Sequence, residues 1–234
     1  YESKNLKVGK KNHGKSTVTE ADLAAEKTII DMLSKKFPSY GVISEEAGET
    51  KKDSEYRLII DPLDATRNFS CGNPLFCTMV ALQFRQDIVS SAIFAPYTSD
   101  MYLAEKGKGA FLNGRRIHVS GRSSFDRFLV FFNGFTFMSN AGAEKLFRVF
   151  IANFKKNFRD IGCAGISGAF VAAGRADTHI GYKLGLQDMA PPYLLVKEAG
   201  GNITEMNGGK WTPESRTFLA SNGKLHNKLV NLLN

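Results

Sequence analysis

The 234-residue sequence contains only three cysteines, four histidines and one tryptophan. Cys71, Cys77 and Cys163 form neither a CxxC pair nor a Cys/His metal spacing. An odd, sparse count points to a reducing compartment, here expected to be the cytoplasm, rather than to a disulfide framework. His13, His118, His179 and His226 are scattered, which argues against a zinc centre. No run approaches the roughly 18 apolar residues of a membrane span. There is no repeat, no low-complexity tract and no signal-peptide pattern. The chain has enough length to bury a core without staples. With 43% hydrophobic and 23% charged residues it is also not a disordered chain.

The net charge of +8 is unusual and unevenly placed. Residues 1–15 carry +4, residues 16–64 carry −5, and residues 65–234 carry +9. The basic total alone suggests an anionic partner and leaves nucleic acid open without favouring it. An acidic island inside a basic chain is a stronger lead.

Residues 1–17, rich in Lys, Gly and Asn, read as a loop or frayed lead-in. Thr19 with Asp22 predicts a capping box opening a helix to about Lys36, with Leu23, Ile30, Leu33 and Phe37 as its apolar stripe. Asp22 and Glu26, four residues apart, share a face beside that stripe. Residues 41–44 and 56–60 predict strands, and Pro62 is expected to stop the second at its carboxylates. Strands over 76–84, 88–95, 101–103 and 109–112, with Asn113-Gly114 as a hairpin turn, predict an antiparallel meander. Helices at 143–154, 166–173, 189–199 and 224–233 then alternate with strands at 128–132, 177–180 and 217–221. This change of pattern predicts two parts, residues 1–120 (α+β) and 121–234 (α/β).

The chemistry is expected in Glu45, Asp61, Asp64 and Asp188. Asp61 and Asp64 flank Pro62 in one turn, where like charges repel unless a cation lies between them. Hard oxygen donors without His or Cys suit Mg²⁺. Locally, the same residues also read as a solvated acidic turn. Thr66 places a hydroxyl beside Asp64, where it either caps a helix or orients an attacking water. Asp188 is expected as the N-cap of the helix beginning at Met189, with Pro191 and Pro192 in or near its first turn.

Four blocks together resemble the inositol monophosphatase family of Mg²⁺-dependent, lithium-sensitive phosphatases. Asp61-Pro62-Leu63-Asp64-Ala65-Thr66-Arg67-Asn68-Phe69 is similar to its DPxDGTxNF signature. Gln187-Asp188-Met189-Ala190 with Glu198-Ala199-Gly200-Gly201 is similar to WDxAA…EAGG. Val18–Asp22 and Ile43–Glu46 match the VTxAD and xxEE blocks.

The resemblance implies a layered αβαβα sandwich of the inositol monophosphatase/fructose-1,6-bisphosphatase type, a homodimer, and a helix ahead of Tyr1. It implies two or three Mg²⁺ ions. Glu45, Asp61, Asp64 and the Leu63 carbonyl would hold the first, and Asp61, Asp64 and Asp188 the second. Lys11 falls on a mobile-loop position near a third. Asp22, Thr66 and Glu45 are the implied catalytic residues. Ala65 and Thr66 supply backbone N–H groups to phosphate, and Ala164 is a contact to the substrate ring.

The sequence departs from the family pattern at four positions. Ala65 replaces a Gly, Ser16 an Asp, Gln187 a Trp, and Gly181 an acid that binds inositol hydroxyls. The expected function is hydrolysis of a small phosphate monoester. The alternative is an RNA- or transcription-machinery-binding relative with little turnover, as some bacterial members associate with that machinery.

Overall fold

A computed structural model of the protein describes residues 8–11, 16–154 and 157–234. Strands β1 (Val8–Lys11) and β2 (Ser16–Thr19) pair antiparallel. The reading of this segment as a loop is thus corrected for its described residues. A Lys/Gly-rich composition conceals strands whose support is cross-strand pairing. Helix α1 (Glu20–Lys36) follows at once, opened by the Thr19–Asp22 capping box.

An eight-stranded sheet comes next, built from β3 (Gly41–Ser44), β4 (Gly48–Thr50), β5 (Tyr56–Asp64), then, after the short helix α2 (Thr66–Ser70), β6 (Cys77–Phe84), β7 (Asp87–Ala95), β8 (Asp100–Glu105), β9 (Gly109–Leu112) and β10 (Arg115–Ile117). Its order is β10-β9-β8-β7-β6-β5-β3-β4. From β5 onward it is the expected meander, and only β3 and β5 run parallel. Asn113 and Gly114 both have positive φ (49° and 77°), as a two-residue type I′ turn requires.

The remaining elements are β11 (Val130–Asn133), α3 (Asn140–Phe154), β12 (Phe158–Arg159), α4 (Ala164–Ala172), β13 (Thr178–Tyr182), α5 (Leu186–Glu198), β14 (Asn202–Thr204), β15 (Thr217–Ser221) and α6 (His226–Leu233). Their strands form a mixed sheet of order β12-β11-β13-β15-β14.

The layers follow from which faces are apolar. Helix α1 lies on one face of the large sheet, with Ile29, Ile30 and Leu33 against Val42, Leu58 and Ile60. Helices α4 and α5 are buried between the two sheets: α5 meets β5 to β9 on one side and β14 and β15 on the other. Helices α3 and α6 close the far face of the small sheet, where Leu146, Phe150, Phe154 and Leu229 meet Val130, Phe132, Ile180 and Leu219. The architecture is the αβαβα sandwich. Gly168 permits the close approach within the middle layer, because a Cβ there would meet Pro192 Cβ at 2.4 Å.

Three local expectations change. Leu23 is 53% exposed, and the buried positions of α1 are Asp22 and Glu26, so the first half of its inward face is acidic. Strand β5 runs through Pro62 to Asp64, its register against β6 shifting between Asp61 and Asp64. Proline is tolerated at such a bulge because no ladder N–H is needed there. Helix α5 begins at Leu186 with Gly185 as N-cap. Asp188 is therefore its third residue, and both prolines lie in its second turn.

Candidate active site

The end of β5 places Asp61 and Asp64 below the surface, 1% and 7% exposed. The bulge lets both carboxylates serve the same side, and the Leu63 N–H donates to Asp61 Oδ1 at 3.1 Å. Helix α5 delivers Asp188 from far along the chain, its Oδ2 accepting from the Gly185 N–H at 2.7 Å in the reciprocal half of a cap. One carboxylate oxygen from each of Asp61, Asp64 and Asp188 lies within 4.8 Å of the others. Glu45, in the turn after β3, is close enough for its charge to act on both Asp61 and Asp64.

This concentration of buried negative charge is reflected in the acidities. Burial, then the charges of Asp64, Glu45 and Asp188, push Asp61 well above the ordinary carboxylate range. Burial pushes Asp64 up to about 6, against the opposing hydrogen bonds from Cys163 and Gly165. The Gly165 N–H donates to Asp64 Oδ2 at 2.7 Å and the Cys163 thiol at 3.0 Å. Those two contacts tie Asp64 to the start of α4, where Ala164 is buried.

Beside the cluster, Thr66 Oγ1 donates to Asp22 Oδ1 at 2.7 Å and lies 3.2 Å from the Leu63 carbonyl. The other Asp22 oxygen accepts from the Thr19 N–H at 2.7 Å and the Thr19 hydroxyl at 2.5 Å. Asp22 thus caps α1 and holds Thr66 with different oxygens. Thr66 is not an N-cap: it is the first residue of α2, and Ala65 occupies the cap position. Of the expected residues, Asp22, Glu45, Asp61, Leu63, Asp64, Ala65, Thr66, Ala164 and Asp188 gather here. The side chains of Lys11 and Ser16 lie outside the described part of the structure.

Ala65 has φ 71° and ψ 49°, the left-handed conformation that suits glycine. Ala65→Gly is therefore expected to raise stability by about 1 kcal/mol, read as a higher midpoint in denaturant with unchanged slope.

The sequence reading noted Glu26 only as sharing a face with Asp22. Its Oε1 accepts from the Glu46 N–H at 3.1 Å, the Ala47 N–H at 3.0 Å and the Ser44 hydroxyl. It therefore clamps the turn that carries Glu45. Glu26→Ala orphans three donors, and a stability loss of roughly 2 kcal/mol with weaker divalent-metal binding is expected. Glu26→Gln, which keeps an acceptor, should recover most of both.

Comparison with known proteins gives the family. The whole chain, residues 1–234, matches the inositol monophosphatase family. The chain belongs to that family. It is 35% identical over 240 residues to the inositol-1-monophosphatase of Mesorhizobium japonicum, covering 98% of this chain and 86% of that protein. It is also 35% identical over 224 residues to the Nus factor SuhB of Pseudomonas aeruginosa, covering 92% and 82%. The crystal structure of the extragenic suppressor protein suhB from Bartonella henselae superposes with a TM-score of 0.94 at 35% identity, covering 100% of this chain and 90% of that one. For an inositol monophosphatase family chain the Gly181 departure is notable. A Cβ at Gly181 would lie 2.6 Å from Leu184 Cδ1 and 3.3 Å from Phe218 Cβ, so any side chain there requires Leu184 to shift.

Proposed function

We propose that the protein is a Mg²⁺-dependent phosphatase that hydrolyses a small phosphate monoester. The carrying observation is the convergence of Asp61, Asp64 and Asp188 beside the hydrogen-bonded Asp22–Thr66 pair. The donor set fits magnesium: it is all hard oxygen, and burial together with neighbouring carboxylates raises the pKa of Asp61 and Asp64, a strain that a bound cation would relieve. Glu45, Asp61, Asp64 and the Leu63 carbonyl would hold one ion, and Asp61, Asp64 and Asp188 another, with a third, weaker site near Lys11. When bound, the ions neutralise phosphoryl oxygens and make a bound water more acidic.

The chain's own residues do the positioning. The Thr66 proton is committed to Asp22, so the Thr66 oxygen presents lone pairs to an attacking water. Asp22, through that hydroxyl, draws the water's proton. The Ala65 and Thr66 N–H groups at the turn into α2 cradle the phosphate, and Ala164 borders the rest of the substrate.

The absence of a carboxylate at Gly181, with Lys183 exposed nearby, supports a substrate other than inositol 1-phosphate, or a more anionic one. The test is phosphate release with Mg²⁺ from inositol 1-phosphate, fructose 1,6-bisphosphate, histidinol phosphate and 3′-phosphoadenosine 5′-phosphate, repeated with Li⁺ or Ca²⁺. Strong Mg²⁺-dependent release from one of the latter three is expected. Inositol 1-phosphate as clear best would overturn the specificity reading, and no release from any would overturn the activity.

The similarity to a Nus factor favours a second reading, a regulatory RNA- or transcription-machinery-binding protein, to which the basic excess adds weak support. Salt-sensitive RNA binding that survives Asp64→Asn would favour it.

A further inference from the structure

We propose that Cys77, Cys163 and Asp64 form a second, thiophilic metal site that takes zinc and shares Asp64 with the acidic cluster. Cys77 sits on β6 and Cys163 just ahead of α4, so sequence spacing gives no hint of the pair. Both sulfurs are fully buried. Cys77 Sγ and Cys163 Sγ are 3.7 Å apart, and they lie 3.6 Å and 3.0 Å from Asp64 Oδ2.

These lengths resemble the edges of a coordination tetrahedron. With Zn–S of about 2.3 Å and Zn–O of about 2.0 Å, tetrahedral angles give an S–S edge of about 3.8 Å and S–O edges of about 3.5 Å. Two of the three observed separations meet those values, and the third needs a shift of about 0.5 Å. At 3.7 Å the sulfurs are in nonbonded contact as free thiols, well beyond the about 2.05 Å of a disulfide, so both are available as ligands in reduced protein. Gly165 lets Cys77 approach the backbone that holds Asp64: a Cβ there would lie 2.5 Å from Cys77 Sγ and 2.4 Å from Met79 Sδ. Thiolates select zinc over magnesium, which prefers the oxygen cluster on the other side of Asp64. Zinc bound here draws on a carboxylate that the magnesium cluster needs, so it should act as an inhibitor.

The test uses the full chain carrying Cys71→Ser, because Cys71 is exposed and would bind metal on its own. In reduced protein with excess Mg²⁺, titration with Cd²⁺ should produce a thiolate-to-cadmium absorption band saturating at one ion per chain. Equilibrium dialysis should find one tightly held Zn²⁺. Adding Cys77→Ser or Cys77→Ala should remove the band and weaken zinc by more than the roughly 10–100-fold that loss of a supporting group costs. No band in the folded Cys71→Ser protein overturns the site before any Cys77 substitution is made, as does zinc binding unchanged by either Cys77 substitution. Inhibition of phosphate release by zinc, relieved in the Cys77 variants relative to their own uninhibited rates, rests on the phosphatase reading. The optical and dialysis measurements do not, so failure of one claim is distinguishable from failure of the other.

Discussion

Asp64→Asn is expected to lower kcat by at least roughly 10³-fold while the protein stays folded, because several kcal/mol of transition-state stabilisation is lost. The substitution keeps the shape of the side chain and an oxygen for the Gly165 N–H. What it removes is one unit of buried charge. In metal-free protein that charge is a burden. Folded Asp64 takes up its proton near pH 6, whereas an unfolded Asp does so near 3.8. Between those values the folded state holds the extra proton, so this group's contribution to stability falls as pH rises through the window. Asp61 is shifted in the same direction. Metal-free wild type should therefore lose stability from about pH 4 to about pH 6, Asp64→Asn should lose less, and Mg²⁺ should raise the wild-type Tm more at pH 7 than at pH 5. Melting curves with EDTA or Mg²⁺ at the two pH values, alongside phosphate release, check both halves. Retention of most activity in Asp64→Asn would sink the assignment of this residue.

Thr66→Ala and Asp22→Asn are each expected to lower kcat by about 10²–10⁴-fold with little change in KM, the usual range for a group that handles a proton in the transition state. The double variant should be no slower than the worse single one. The reason is the 2.7 Å bond from Thr66 Oγ1 to Asp22 Oδ1: each group acts through the other, so removing either removes the unit. Independent roles would multiply the two losses instead. Stability separates the partners. Asp22 also caps α1 through its other oxygen, so Asp22→Asn should cost about 1 kcal/mol, whereas Thr66→Ala leaves that cap untouched. A kinetic double-mutant cycle with matched denaturant curves reads both effects.

Much of this was legible before any coordinates. The β-branched run into Asp61-Pro62-Leu63-Asp64 marks a strand delivering carboxylates, and Thr19 with Asp22 marks a helix start, because each is a local pattern with a local cause. Asp188 is different. Nothing near it signals that it meets Asp61, and only the resemblance to a family connects the two. The structure supplies the reason, as α5 is the buried layer that brings its first turn to the end of β5. Glu26 looked like part of a polar face, and its role is visible only once the turn carrying Glu45 folds back onto it. The β1–β2 pairing was missed because a Lys-, Gly- and Asn-rich composition carries no strand pattern. Ala65 was legible as a departure, but its cost depends on a φ of 71° that no sequence pattern states. Cys77 and Cys163 lay beyond local reading altogether, as tertiary contact alone makes them neighbours.

The most direct test of the central claim is Mg²⁺ dependence itself. Protein stripped with EDTA is mixed with the best substrate of the panel, and phosphate release is followed as Mg²⁺ is added. The account predicts no release above background without the ion, and saturable recovery in wild type that Asp64→Asn does not show. Release that is indifferent to EDTA, or recovery by Mg²⁺ that Asp64→Asn shares, would contradict it.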